Sequence, residues 1–247
     1  MDINLSSVPT RAPKDLDKDK AKEQLASILK ELDELQNILY ADGSHSLLVV
    51  LQGMDASGKD GLINNVFTFI NPQGISVTSF KAPDQKELAH DFLWRIHANT
   101  PAKGMIKIFN RSHYEDVLIT RVHKWIDEET AMQRMKAIND FEELLQRHNN
   151  TIILKFYLHV SREEQVERLK ERTENPTKFW KYNPNDAKEA ALWPDYMKTY
   201  EDCFKYCNAV PWTIVPADQN WYKEYLVASE ILKTLKAMNL KYPAKLF

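Results

Sequence analysis

Leu47-Leu48-Val49-Val50-Leu51-Gln52-Gly53-Met54-Asp55-Ala56-Ser57-Gly58-Lys59-Asp60-Gly61 is the stretch on which the reading of the chain turns. An unbroken aliphatic run over 47–51 fits a strand buried on both faces of a parallel sheet. A helical pattern follows Lys59, and between strand and helix lies Gly-x-x-x-x-Gly-Lys, the phosphate-binding loop in the context that identifies it. The physics is specific: Gly53, Gly58 and Gly61 let the loop fold so that its backbone N–H groups turn inward, Ala56 and Ser57 are candidate phosphate-binding positions between them, the helix N-terminus adds partial positive charge, and Lys59 adds a full one.

The loop departs from its usual form. Asp60 stands where a Ser or Thr normally offers its hydroxyl to magnesium, and Asp55 adds a second carboxylate. Two like charges about 4 Å apart at an effective dielectric near 20 repel by about 4 kcal/mol. That is about a thousandfold in affinity, more than a bare phosphate would tolerate. Either one or both acids hold a metal that bridges to phosphate oxygens, or one accepts the acceptor's proton. Plainer roles stay open: Asp60 as a helix N-terminal charge, Asp55 as a turn residue.

Moving outward, apolar runs at 75–80, 105–109, 152–158 and 212–215 read as further strands. Helical patterns lie at about 59–70, 85–97, 112–122, 128–148, 162–174, 186–206 and 222–238. Strands alternating with helices imply βαβ units and a parallel sheet covered on both sides. Upstream, Pro9 and Pro13 mark an irregular arm, followed by a helix over about 15–40 whose Leu25, Ile28, Leu29, Leu32, Leu35 and Leu39 form one stripe. That stripe docks on the body or on another subunit. With no repeat or linker, residues 1–247 are expected to form one unit: arm and first helix over 1–44, and a lid over about 168–190.

The 247 residues are 43% hydrophobic and 28% charged with a formal net charge of −2, ordinary for a globular chain. Any anion-binding surface must therefore be local. Cys203 and Cys207, four apart on a helix, suit buried thiols better than a disulfide. No apolar run approaches about 18 residues and the first twenty positions are polar, so a cytoplasmic protein with no membrane or nucleic-acid partner is expected.

Ligands of parallel α/β folds bind at the carboxyl ends of strands, which places Asn110 and Arg111, and the helix opening at Ser112, at the site. Arg111 and Arg121 are candidate phosphate clamps, since guanidinium forks match phosphate oxygens. Glu115 serves either as capping-box partner of Ser112 or at the site, and Asp116 could bind metal or orient the acceptor. His113 reads as a packed residue. Farther on, Arg168 and Arg172 share a helix face, Pro176 breaks it, and Lys178 and Lys181 follow; a lid carrying Arg172, Lys178 and Lys181 would close over phosphates and exclude water.

Several stretches together resemble the polyphosphate kinase 2 family: the acidic loop over 53–61, Phe80-Lys81-Ala82-Pro83, His90-Asp91-Phe92-Leu93-Trp94-Arg95, Ile108-Phe109-Asn110-Arg111-Ser112-His113-Tyr114-Glu115-Asp116-Val117-Leu118, and the lid from Arg168 to Trp180. The resemblance implies a thymidylate-kinase-like P-loop kinase, a three-layer α/β sandwich with about five parallel strands, an N-terminal helix and a helical lid. It implies transfer of the terminal phosphoryl group of inorganic polyphosphate to adenine nucleotides, with guanine nucleotides as alternatives, using magnesium or manganese. By analogy Asp55, Lys59 and Asp60 serve the loop, Asn110 occupies the Walker B position, and Arg111, Arg121 and Arg172 handle phosphate. Asn110 departs from members with Asp there; with Glu115 it resembles the class III branch, which phosphorylates AMP and ADP. Metal binding then shifts toward Asp55, Asp60 or Asp116. Homo-oligomers, dimers or tetramers, are also implied.

A long polyanion needs an extended basic groove, and Lys81, Arg95, Arg111, Arg121 and the lid cations are candidates to line one. The rival readings are an ATP-dependent nucleoside monophosphate kinase, a nucleotide-binding switch and a nucleic-acid module. The absence of a guanine-reading Asn-Lys-x-Asp weighs against the switch, and the spread of tryptophans along the chain against the last.

Overall fold

A computed structural model describes residues 3–245. Five strands form one parallel sheet in the order β2-β3-β1-β4-β5: β1 Ser46–Gln52, β2 Ile75–Ser79, β3 Ile106–Asn110, β4 Thr151–His159 and β5 Trp212–Pro216. Every residue of β1 is buried, as its aliphatic run demands of a central strand covered on both faces. Its register sets Leu51 beside Asn110 of β3 and beside Phe156 of β4. The loops that follow these strands therefore open on one edge of the sheet.

The helices are α1 Lys18–Asp42, α2 Lys59–Phe67, α3 Gln85–Leu88, α4 Trp94–His97, α5 Ile119–Val122, α6 Glu128–Asn149, α7 Arg162–Glu174, α8 Asp186–Ala191, α9 Trp193–Tyr206 and α10 Asn220–Ala237. The expected α/β sandwich is observed, but three expected helices are broken. Over 85–97, α3 and α4 are separate short turns, the second preceded by Asp91, whose carboxylate accepts from Leu93 N at 2.9 Å. Over 186–206 the break falls at Leu192, because Pro194 in the first turn of α9 has no N–H to continue α8. Over 112–122 a 3-10 turn, His113–Asp116, precedes α5.

Helix α1 is capped by Asp17, which accepts from Asp19 N and Lys20 N, and ends at Gly43 with φ 63°. It packs along α10, with Leu32 and Leu39 fully buried and Leu25, Ile28, Leu29 and Leu35 against the core. The leucine stripe is thus docked on the body of its own chain. The arm is more ordered than its prolines suggest. Leu5 is buried, its N–H donates to Glu201 (2.8 Å), and Thr10 and Ala12 bond Asp218 and Gln219 beyond β5.

Beneath the sheet's working edge lies a buried ionic cluster. Lys155 of β4 donates to Glu142 Oε2 (2.8 Å), Tyr114 Oη (2.7 Å) and the Cys207 carbonyl (2.9 Å), with both charged side chains wholly buried. His113 approaches the same carboxylate at 3.3 Å, so it is a packed residue as read. Cys203 and Cys207 are buried free thiols. Among the described residues no helix is long and apolar enough to cross a membrane.

Candidate active site

The loop after β1 is shaped by three residues with positive φ: Gly53 at 151°, Ala56 at 62° and Gly58 at 90°. A Cβ on Gly53 would lie 2.8 Å from both the Leu158 carbonyl and Ser57 Oγ, so no larger residue fits there. Ala56 takes the left-handed conformation without being glycine, as does Arg111 at 61°; such backbone costs about 1 kcal/mol or more and concentrates at functional sites. Lys59 opens α2, buried, with its ammonium donating to the carbonyls of Gly53 (2.7 Å) and Met54 (3.2 Å). Burial, reinforced by Arg111, lowers its pKa to about 8.

The two loop acids face different partners. Arg111 Nη2 donates to Asp55 Oδ1 at 2.6 Å, and the Asp55 carbonyl accepts from Gln165 of α7 at 3.0 Å. Burial works against ionisation of Asp55, but Lys59 and Arg111 outweigh it and hold the carboxyl below its ordinary range. Asp60 is exposed and accepts from Asn110 Nδ2 (2.8 Å) and from Lys181 of the lid (3.2 Å). Burial again opposes ionisation, and these two hydrogen bonds keep its pKa low. Both acids are therefore carboxylates, Asp55 held by Arg111 just after β3 and Asp60 held between Asn110 of β3 and Lys181 of the lid.

Ser112 does not form the capping box with Glu115. Its hydroxyl accepts from Tyr114 N, while the Gln52 amide, set with nitrogen toward Glu115 Oε1 (3.0 Å) and oxygen toward Ser112 N (3.1 Å), satisfies both groups. Glu115 is left beside Arg111 and Lys59, with burial pushing its pKa up against their pull.

A cavity of about 690 Å³ runs across this edge, from Ser79, Phe80 and Lys81 past β2 to Asn220, Lys223 and Glu224 on α10. Asp55, Ala56, Gly58, Lys59, Asp60 and Gly61 form its floor, and Asn110 and Arg111 line it after β3. Arg172, Lys178, Trp180 and Lys181 line it from the lid. The expected lid, over about 168–190, corresponds to the C-terminal half of α7, a 3-10 turn Pro176–Lys181 and α8, the turn opening at Asn175, whose side chain accepts from Thr177 N. Three of its cavity-lining cations each have a carboxylate partner: Arg172 pairs with Asp186 (2.7 Å), Lys178 with Glu171, and Lys181 with Asp60.

Some expected site residues lie elsewhere. Arg121 pairs with Glu128 (2.6 Å) and Asp202 (3.0 Å) and lines a separate cavity between α5 and α9. Arg95 is buried over the Phe80 ring, donating to the Lys81 carbonyl at 2.8 Å and meeting Asp116 at 3.5 Å. Arg95 therefore braces the segment after β2, Arg121 ties α5 to α6 and α9, and neither lines the main cavity. Gly53 and Ser57 are likewise absent from the cavity lining and lie buried within the loop.

The sequence reading also passed over Lys223. It is buried on the first turn of α10 with its ammonium in the cavity, and only its place just beyond a parallel strand's carboxyl end hinted at this. Arg168, read as the lid's first cation, instead staples the loop. Its guanidinium donates to the carbonyls of Ala56 (3.0 Å), Ala217 (2.8 Å) and Asp218 (2.9 Å).

The chain matches the family described as Polyphosphate kinase 2 (PPK2) over residues 15–243. It is 45% identical to the AMP/ADP-polyphosphate phosphotransferase of Meiothermus ruber, over 92% of this chain and 85% of that protein. It is 39% identical to the ADP-polyphosphate phosphotransferase of Rhodopseudomonas palustris, over 98% and 88%. The crystal structure of Polyphosphate Kinase 2 from Arthrobacter aurescens TC1 superposes with a TM-score of 0.95 at 40% identity, covering 99% of this chain and 89% of that one.

Proposed function

The chain belongs to the polyphosphate kinase 2 family, and we propose that it moves the terminal phosphoryl group of inorganic polyphosphate reversibly to AMP and ADP in the cytosol, with a divalent cation. The observation that carries this reading is the cavity itself: one cradle in which loop amides, Lys59, Arg111 and the lid cations surround two ionised aspartates.

The donor's terminal phosphates lie against the loop amides and Lys59. An oxygen of the acceptor's own phosphate attacks the terminal phosphorus, the bond to the bridging oxygen breaks, and the chain leaves one phosphate shorter. At neutral pH that oxygen arrives largely ionised, so the step asks for positioning and charge stabilisation more than for a base. Arg111 and Arg172 flank the transferred group, and Asp55 orients the Arg111 fork through its 2.6 Å bond. Lys81 and Lys178 extend the basic lining, while Glu115 steers the acceptor. Lid closure over the cavity excludes water that would otherwise take the phosphoryl group.

The residues fit magnesium, or manganese in its place. Among the described residues no group of three or more His, Cys, Asp or Glu forms an all-protein cage. Magnesium is usually held by one or two carboxylates together with substrate phosphates and water. Asp55 and Asp60 would supply that pair, with Asn110 orienting Asp60; Asp116 faces Arg95 instead. The bound ion would neutralise charge on phosphate oxygens next to the aspartates.

The test is a donor-by-acceptor matrix: polyphosphate or ATP, each with AMP, ADP, GMP and GDP. The expected profile is ADP from AMP and ATP from ADP with polyphosphate as sole donor. Turnover with ATP alone would instead indicate an ATP-dependent nucleoside monophosphate kinase.

A further inference from the structure

Lysines buried in this protein fall into two kinds. Lys155 is enclosed and fully answered, by a carboxylate, a phenol and a carbonyl. Lys223 is as deeply enclosed, yet among the described residues no carboxylate stands within ion-pair distance of it. Its ammonium donates to Asn220 Oδ1 at 2.7 Å and reaches the Ser57 carbonyl only at 3.4 Å. A buried cation without an anion is costly, and such a group persists where an anion arrives to complete it. Lys223 also lines the cavity, from which such an anion could come.

Its position relative to the loop says which anion. Lys223 packs on Gly58, where any Cβ would collide with the ammonium; φ of 90° already demands glycine there. The sheet order puts β3, with Asn110 and Arg111, on one side of β1 and its loop, and puts β4, β5 and α10 on the other. Lys59 and Lys223 therefore grip the same short loop, Lys59 at the Gly53 and Met54 carbonyls and Lys223 at Ser57. Arg111, which the mechanism sets at the reacting end of the donor, is on the β3 side. A phosphate chain whose end lies at Arg111 and which crosses the loop toward α10 comes to the side of the cavity that Lys223 lines.

We propose that Lys223 is a further donor-binding residue, taking phosphates of the polyphosphate chain upstream of the one transferred and leaving the acceptor untouched. This rests on polyphosphate being the donor. Asn220 is its positioning residue, fixing the ammonium by the 2.7 Å bond. Burial, with Arg168 nearby, lowers the Lys223 pKa to about 8, so an arriving phosphate also restores its charge.

Calorimetric titration of polyphosphate into wild-type protein with magnesium and no acceptor, repeated on Lys223→Met and Asn220→Ala, tests the assignment. Methionine keeps the volume and removes the unpaired charge, so K223M is expected to melt no lower than wild type without ligand. It should bind polyphosphate at least about tenfold more weakly, as loss of one charge-assisted contact implies, and its KM for polyphosphate should rise equally while the KM for ADP stays within about twofold. N220A should show the same selective donor defect in smaller measure, and it decides the matter if K223M does not fold. Wild-type affinity in K223M, or in N220A where K223M does not fold, overturns the assignment of Lys223 alone, as do donor and acceptor constants that worsen together. Failure of the wild type to bind polyphosphate overturns the donor reading, and this assignment with it.

Discussion

Arg111 Nη2 sits 2.6 Å from Asp55 Oδ1, which makes the residue leaving β3 and an acid inside the loop after β1 one unit. The two side chains keep 40% and 33% of their surface accessible, so solvent screens the pair and its share of folding stability is under about 1 kcal/mol. In a dry, closed site the same geometry sets where the guanidinium meets phosphate, and there it matters far more. Stability and turnover should therefore separate on substitution.

Asp55→Asn is expected to lower kcat by about a hundredfold or more while shifting unfolding free energy by under about 1 kcal/mol. Arg111→Lys should behave alike, because an ammonium cannot reproduce the planar fork. Steady-state kinetics beside denaturant melts check both; a stability loss matching the loss of rate would contradict the assignment.

Lys155 and Glu142 call for the reverse. Both are wholly buried, so removing one partner strands the other: Lys155→Met or Glu142→Gln should destabilise by about 3–5 kcal/mol. The double variant Lys155→Met, Glu142→Leu should recover much of that loss, since an apolar pair of similar volume leaves no charge behind. A thermodynamic cycle of urea melts measures it.

Lys59 predicts opposite pH trends for folding and for binding. Its pKa falls from 10.5 to about 8 in the ligand-free fold, so between those values the unfolded chain binds more protons and the fold gains stability as pH rises. An arriving phosphate favours the charged amine and takes the proton back up. Donor affinity should therefore weaken as pH climbs past about 8, with proton uptake on binding. Calorimetry above that pH in two buffers of different ionisation enthalpy reads the uptake; proton release would contradict it.

Trp180 lies 77% exposed on the lid, with the Lys181 ammonium 4.9 Å from its ring, and Lys181 also reaches Asp60 of the loop. Donor binding should change the tryptophan emission, and Trp180→Phe should remove most of that change. An unaltered signal in the variant would place the reporting tryptophan elsewhere.

Leu5 anchors the arm from a fully packed position, so Leu5→Ala should cost about 2–4 kcal/mol in a denaturant melt. An effect below about 0.5 kcal/mol, the range of surface changes, would mean the arm is not part of the folded body.

The sheet and the loop were legible because their signals are local. A run such as 47–51 fixes a buried strand without reference to distant residues, and a glycine loop between strand and helix has one common use. The broken helices were hidden for a local reason too: Pro194 and the short turns around Asp91 and Ser112 interrupt patterns whose apolar spacing runs on. The destinations of Arg95, Asp116 and Arg121 were not legible. Each cation's fate is set by acids such as Glu87, Glu128 and Asp202, whose proximity only the packing of helices decides. Lys223 was missed for the same reason: nothing within α10 says that its first turn faces Gly58. The leucine stripe left two docking partners open, and α10 fills one of them.

The most direct measurement of the central claim is a phosphorus NMR time course of the protein with ADP, polyphosphate and magnesium, no nucleoside triphosphate present, followed by chelation of the divalent ion. The account predicts that ATP resonances grow as polyphosphate shortens, and that growth stops on chelation. No ATP formation, or formation that continues undiminished after chelation, would contradict it.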